Sequence, residues 1–243
     1  MALTTPGQKE LQNLQDYLNN QPDVLTAIIK HRTSFAGQTG PLHITTFDPQ
    51  GAFVNILVHA PQPDGSVKEE MIKLDIEPAI QSPFEARGRM YHWRDMAFRK
   101  FGVPTVPPIK YYSPPSPFPY ALPLTLAIAA LLFALLGKGY YADLFRAKIE
   151  SVFGKYMVAG ATIFMVITHI MEVGYMIYQC RKHSVPLVPS IKWVLTSAAI
   201  GIGGVNEFWE SVQYERLRVI YAKTDVGEIP PRIQTAEAKT KKE

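Results

Sequence analysis

Apolar positions in the first part of the chain change period twice. Leu11, Leu14 and Leu18 recur at helical spacing behind Thr5-Pro6, which reads as an N-cap followed by proline at the first helical position. Pro22-Asp23 opens a second short helix carrying Val24, Leu25, Ile28 and Ile29. The period then drops to two. Residues 43–48 and 52–60 read as a hairpin about Pro49-Gln50-Gly51, and after a turn at 61–65 residues 67–75 alternate as a third strand. Ser82-Pro83-Phe84-Glu85 is a capping box, and Ala86, Met90, Trp93, Ala97 and Phe101 follow it at the steps of a helix. Residues 1–102 are therefore expected to form a small α+β domain, with helices flanking a three-stranded antiparallel meander.

Residues 103–117 are dense in proline and read as an extended, semi-rigid juxtamembrane linker, with Tyr111, Tyr112, Phe118 and Tyr120 as interfacial aromatics at its end. Residues 118–213 are expected to be an all-α transmembrane bundle of three helices, at 118–137, 157–179 and 191–209. Between the first two, residues 140–153 are amphipathic and suit the membrane surface. Residues 214–243 are polar and read as a disordered tail.

Composition narrows the function. The formal charge of +4 is mild, and no long Lys/Arg stripe interleaved with aromatics occurs, which argues against nucleic acid. Anionic lipid suits the same balance. Cys180 is the only cysteine, so neither an intrachain disulfide nor a Cys-based zinc site can form. It reads as a small residue at the membrane boundary, with a reactive thiol beside Arg181 and Lys182 as the alternative. No apolar h-region opens the chain, so no cleaved signal peptide is expected. No nucleotide or phosphate-loop motif is found, and no metal or cofactor is expected.

Three groups carry candidate chemistry. Arg87 and Arg94 belong to a five-cation face of the capped helix (with Arg89, Arg99 and Lys100). This is either a solvated face or an anion and lipid-headgroup site. His169 and Glu172, one turn apart in the second span, share a helix face inside an apolar run. A charge there costs roughly 2.5–3.5 kcal/mol on insertion scales, so the pair must face the bundle. It is polar glue between helices, an acid–base or ligand site, or an incomplete metal or haem ligand set. Asn206, Glu207 and Glu210 follow near the end of the third span, and Glu207 turned inward would complete an acid–base cluster with His169 and Glu172. Ser197 and Gly201 form a small-xxx-small pair through which helices, or two copies of the chain, can approach closely.

Two stretches resemble known families. His169, Glu172, Tyr175, Cys180, His183, Trp193, Thr196 and Gly201, in THIMEVGYMIYQCRKH…KWVLTSAAIGIGG, resemble the transmembrane protein 254 family, which implies a membrane bundle and lends no activity. Tyr17-Leu18-Asn19, the Asp48…Gly51 turn and LDIEPAIQSPFEARGRMYHWRDMA resemble domain of unknown function 2470, the module beside HugZ-type haem-degrading domains. Where that family carries Asn-x-Asp-His, this chain has Asn20-Gln21-Pro22-Asp23, so no haem ligand is implied at that position. The pairing of soluble module and membrane bundle is similar to a fungal integral membrane protein.

Positive charges leave orientation open, six on one side of the expected spans against seven on the other. Lys239-Thr240-Lys241-Lys242-Glu243 matches the lysine-x-lysine-x-x pattern of endoplasmic-reticulum retrieval. A cytosolic C-terminus with three spans would put the N-terminal domain in the lumen, against the absence of a signal peptide. The sequence thus predicts a multi-pass endomembrane protein with lipids as partners, presenting its N-terminal domain to a protein partner and running no reaction of its own. The alternative is a small membrane enzyme of isomerase or cyclase type acting on a sterol, terpenoid or other lipophilic metabolite, with His169, Glu172 and Glu207 as its acid–base groups. Tetrapyrrole binding by the first domain is a third reading.

Overall fold

The structure is a computed structural model and describes residues 5–33, 35, 42–48, 51–61, 66–115 and 122–224. The chain divides into two units: residues 1–107 with 213–243, and residues 108–212.

In the first unit, α1 (Thr5–Asn19), α2 (Pro22–Arg32) and α3 (Pro83–Phe101) accompany a sheet of β1 (Leu42–Phe47), β2 (Phe53–Pro61) and β3 (Val67–Asp75). Its order is β1-β2-β3, all antiparallel, so the expected α+β meander is present. Ile44 faces Ile56, and Ile56 faces Ile72, which puts the alternating apolar positions on one side. There they bury with Leu14, Leu18, Leu25, Ile28, Met90 and Trp93 in one core. A bulge between Ile44 and Thr46 breaks the outer register of β1, and α1 covers it. The Asn19 carboxamide accepts from Ile44 N at 2.7 Å and donates back to Ile44 O at 3.3 Å, standing in for a missing strand partner.

Helix α3 starts as its capping box requires. Ser82 Oγ accepts from Glu85 N at 3.2 Å, while the Glu85 carboxylate reaches one residue further back than usual, to Gln81 N at 3.0 Å. It ends at Gly102 in the left-handed region (φ 65°), with Val103 N bonded to Phe98 O at 2.8 Å, the Schellman arrangement.

The expected disordered tail is corrected over residues 214–223. They continue α8 (Ile202–Lys223), and from Gln213 onward that helix belongs to the first unit. Ile220 is fully buried in a second cluster with Ala27, Ala97, Phe101 and Val103. Residues 225–243, with the lysine pattern, lie outside the described residues.

The second unit holds α4 (Leu122–Leu136), α5 (Tyr140–Phe153), α6 (Met157–Lys182), α7 (Leu187–Ile200) and the start of α8. Its core gathers Ile109, Met176, Cys180, Trp193, Val205, Phe208 and Val212. Trp193 packs edge-on against Phe208 and Tyr112, and Tyr112 shares a 2.7 Å hydrogen bond with Thr196. The expected extended, semi-rigid linker also contributes to this core: Ile109 is fully buried and its amide bonds to His183 O at 3.0 Å. Cys180 is buried too, which removes the reactive-thiol reading.

Only α6 is a single helix long and apolar enough to cross a membrane among the described residues, with 26 residues and a mean hydropathy of 1.6 over an 18-residue stretch. The other two expected spans differ. The first is the 15-residue α4, which turns by 107° into α5. Arg146 of α5 donates from Nε to Ala134 O at 2.8 Å and from Nη2 to Gly137 O at 3.1 Å, satisfying carbonyls that the end of α4 leaves open. The third expected span is two helices, because the backbone breaks at Gly201 (φ 56°, ψ −127°) between α7 and α8. Among the described residues one helix, or two spans if the bent α4–α5 pair counts as one, is long and apolar enough to cross a membrane, and residues 118–121 of the first expected span lie outside them.

Candidate functional site

In the second unit the structure brings His169, Glu172 and Gly201 together. His169 Nδ1 lies 3.0 Å from the Met165 carbonyl, which can only accept, so this ring nitrogen carries the proton and the imidazole is fixed along its own helix. Glu172 Oε2 is 3.9 Å from the same nitrogen, and both side chains are about four-fifths covered. Oε2 is buried with no hydrogen-bond partner. Its carboxylate lies on the break between α7 and α8, where a Cβ on Gly201 would meet Oε2 at 2.6 Å. Gly201 is required twice over there, by its positive φ and by this close approach.

Glu207 stands half-buried on α8, its carbonyl accepting from the Ser211 hydroxyl at 3.1 Å. Ser197 is fully buried. A Cβ on Gly204 would touch the Ser197 backbone at 3.0 Å, and Gly201 is filled by Glu172, so the close approach expected of Ser197 and Gly201 is used within the chain.

In the first unit Arg87 and Arg94 do not share a site. Arg87 is exposed. Arg94 grips Asp95 Oδ1 from Nε at 2.8 Å and Nη2 at 2.7 Å, stacks over the Tyr91 ring, and lines a groove of about 580 Å³. Val24, Phe98, Arg99, Val103, Thr105 and Arg216 line it as well. Arg216, which the sequence reading missed, reaches fully buried Asp23 at 3.3 Å and donates from Nη2 to Thr105 O at 2.7 Å. Burial raises the Asp23 carboxyl above its usual range, and Arg216 opposes that. The signal for Arg216 lay in the spacing of Val212, Arg216, Val219 and Ile220, which is one helix face.

No group of three or more His, Cys, Asp or Glu able to hold a metal occurs among the described residues. Comparison with protein families, curated proteins and solved structures finds no match.

Proposed function

We propose that this is an integral membrane accessory or adaptor protein whose second unit lies in lipid and whose first unit is a small binding module held at the membrane surface. One observation carries the reading: only 6% of the apolar stretch of α6 is buried within the chain. Ile163, Phe164, Ile170 and Met171 are all more than half exposed. A core helix of similar hydropathy in a water-soluble domain covers its apolar faces with its own fold. Here acyl chains are the natural cover.

The first unit sets the number of crossings. It is built from residues before 108 and after 212, so the chain between must return to the side it left, after an even number of passages. Helix α7, with 14 residues, is about 21 Å long, short of a hydrocarbon core of about 30 Å. Two passages, α6 and the bent α4–α5 pair taken as one broken span, satisfy the parity, which three would not. Both flanks of residues 108–212 then share one side of the membrane, for which we propose the cytosolic side of the endoplasmic reticulum. The resemblances to domain of unknown function 2470 and to the transmembrane protein 254 family accord with the same division of labour.

Carbonate extraction of membranes from expressing cells tests the proposal. The full-length chain is expected in the pellet, and its release to the supernatant would sink the reading.

A second reading has its own observation. The Glu172 oxygen that lies 3.9 Å from His169 Nδ1 is buried and has no hydrogen-bond partner. A membrane isomerase or cyclase acting on a lipophilic metabolite would use such a pair. Under that reading Glu172→Gln leaves abundance intact and abolishes one conversion in a metabolite comparison with the deletion strain. Under the first, His169→Ala lowers accumulation with no product lost.

A further inference from the structure

The groove of the first unit holds three guanidinium groups against one carboxylate, with Asp23 buried behind Arg216. Asp95 occupies one side of Arg94, and Asp23 and the Thr105 carbonyl occupy two nitrogens of Arg216. With both carboxylates ionised, one positive charge is left over. Arg99 carries it: the residue is exposed, and its guanidinium makes no hydrogen bond or ion pair among the described residues. Arg94 keeps Nη1 unengaged on the same terms, and the Gln21 carboxamide, another lining group, adds a neutral donor. Val24, Phe98 and Val103 give the groove an apolar part.

Planar guanidiniums present paired N–H groups at the spacing of phosphate oxygens, and two of them with an amide suit a tetrahedral dianion better than a single carboxylate. A volume of about 580 Å³ lies within the usual range for small-molecule sites. We infer that this groove binds a phosphate monoester, its phosphate held by Arg99, Arg94 and Gln21 and its organic part laid on Val24, Phe98 and Val103. The inference rests on reading the first unit as a binding module and names the chemistry it binds. The monoester has two sources, a soluble metabolite or the headgroup of a lipid such as phosphatidic acid.

Isothermal titration of the full chain tests it, in micelles with inorganic phosphate and glycerol phosphate, and in lipid discs with and without phosphatidic acid. Saturable binding is expected, weakened at least tenfold by Arg99→Gln, less by Arg99→Lys, and not by Arg87→Gln, which lies outside the groove. Binding of the soluble probes assigns a metabolite; binding confined to phosphatidic acid discs assigns a headgroup. Either result supports the site. No saturable binding of any probe, or equal weakening by Arg87→Gln and Arg99→Gln, overturns it. The micelle titrations need no membrane insertion, so a failure here is distinct from a failure of the carbonate test.

Discussion

Arg216 Nη1 lies 3.3 Å from Asp23 Oδ2, two residues 193 positions apart in sequence that lock the end of α8 into the first unit. Gln213 adds a bond from Nε2 to Asn20 O at 3.0 Å, and Ile220 fills the space between Ala27, Ala97 and Phe101. Removing one partner of a buried pair leaves a charge without compensation, so Arg216→Met should cost about 3–5 kcal/mol. The double change Asp23→Leu with Arg216→Met should recover most of that loss. Hydrogen exchange of the α2 and α3 amides reads both outcomes, and equal loss in the single and double variants would refute the coupling.

The same pair has a pH signature. The Asp23 carboxyl titrates higher when folded than when unfolded, so the folded state binds the extra proton. Its contribution to stability is therefore full at low pH and is lost as pH rises through the folded value. Arg216 holds that value down, so Arg216→Met should steepen the loss toward neutral pH, measured against Asp23→Asn with Arg216→Met as the flat reference.

Lys30 behaves in the opposite sense. Burial lowers its ammonium from 10.5 to about 8. Between those values the unfolded chain holds a proton that the folded chain has released, so stability rises with pH across that window. Lys30→Met should remove this slope, so that the variant gains stability relative to the parent as pH falls across that window to about 8. Melting curves of both proteins from pH 7 to 10 show whether they converge as expected.

Gly201→Ala places a methyl group on the Glu172 carboxylate in a backbone conformation that favours glycine. A non-glycine residue held in such a region costs of order 1–3 kcal/mol, and displacement of the carboxylate adds to it. Accumulation and monodispersity in detergent should fall. Adding Glu172→Ala should restore part of the loss and never all of it, because the φ remains.

Two exposed lysines of the first unit, Lys9 on α1 and Lys223 at the end of α8, test the parity of crossings. In a Cys180→Ser background, Lys9→Cys and Lys223→Cys should react with a membrane-impermeant maleimide from the same face of sealed vesicles. Labelling from opposite faces would require an odd number of passages and a different first unit.

Much of the first unit was legible because its signals are local. Ser82 and Glu85 announce the start of α3, and the strict alternation around Ile56 fixes the sheet register. The end of α8 was not legible, since its polar surface masks a helix face whose partners lie near the other end of the chain. The break at Gly201 was hidden for a different reason. In an apolar run such as 195–205, periodicity carries no orientation, and the Glu172 carboxylate packed against that glycine is what distinguishes a bend from a straight helix. His169 and Glu172 were recognisable as a pair from spacing alone, whereas Arg87 and Arg94 were not separable without Asp95 and the groove.

A domain closed by Ile220 and Arg216 has a consequence for its synthesis. The ribosome delivers the sheet and α3 first, then all of residues 108–212, and only afterwards the helical turns that complete the first core. During that interval Ala97, Phe101 and Val103 lack their cover. A nascent chain halted before Gln213 therefore carries a first unit whose second cluster is still missing Ile220 and whose Asp23 is still missing Arg216.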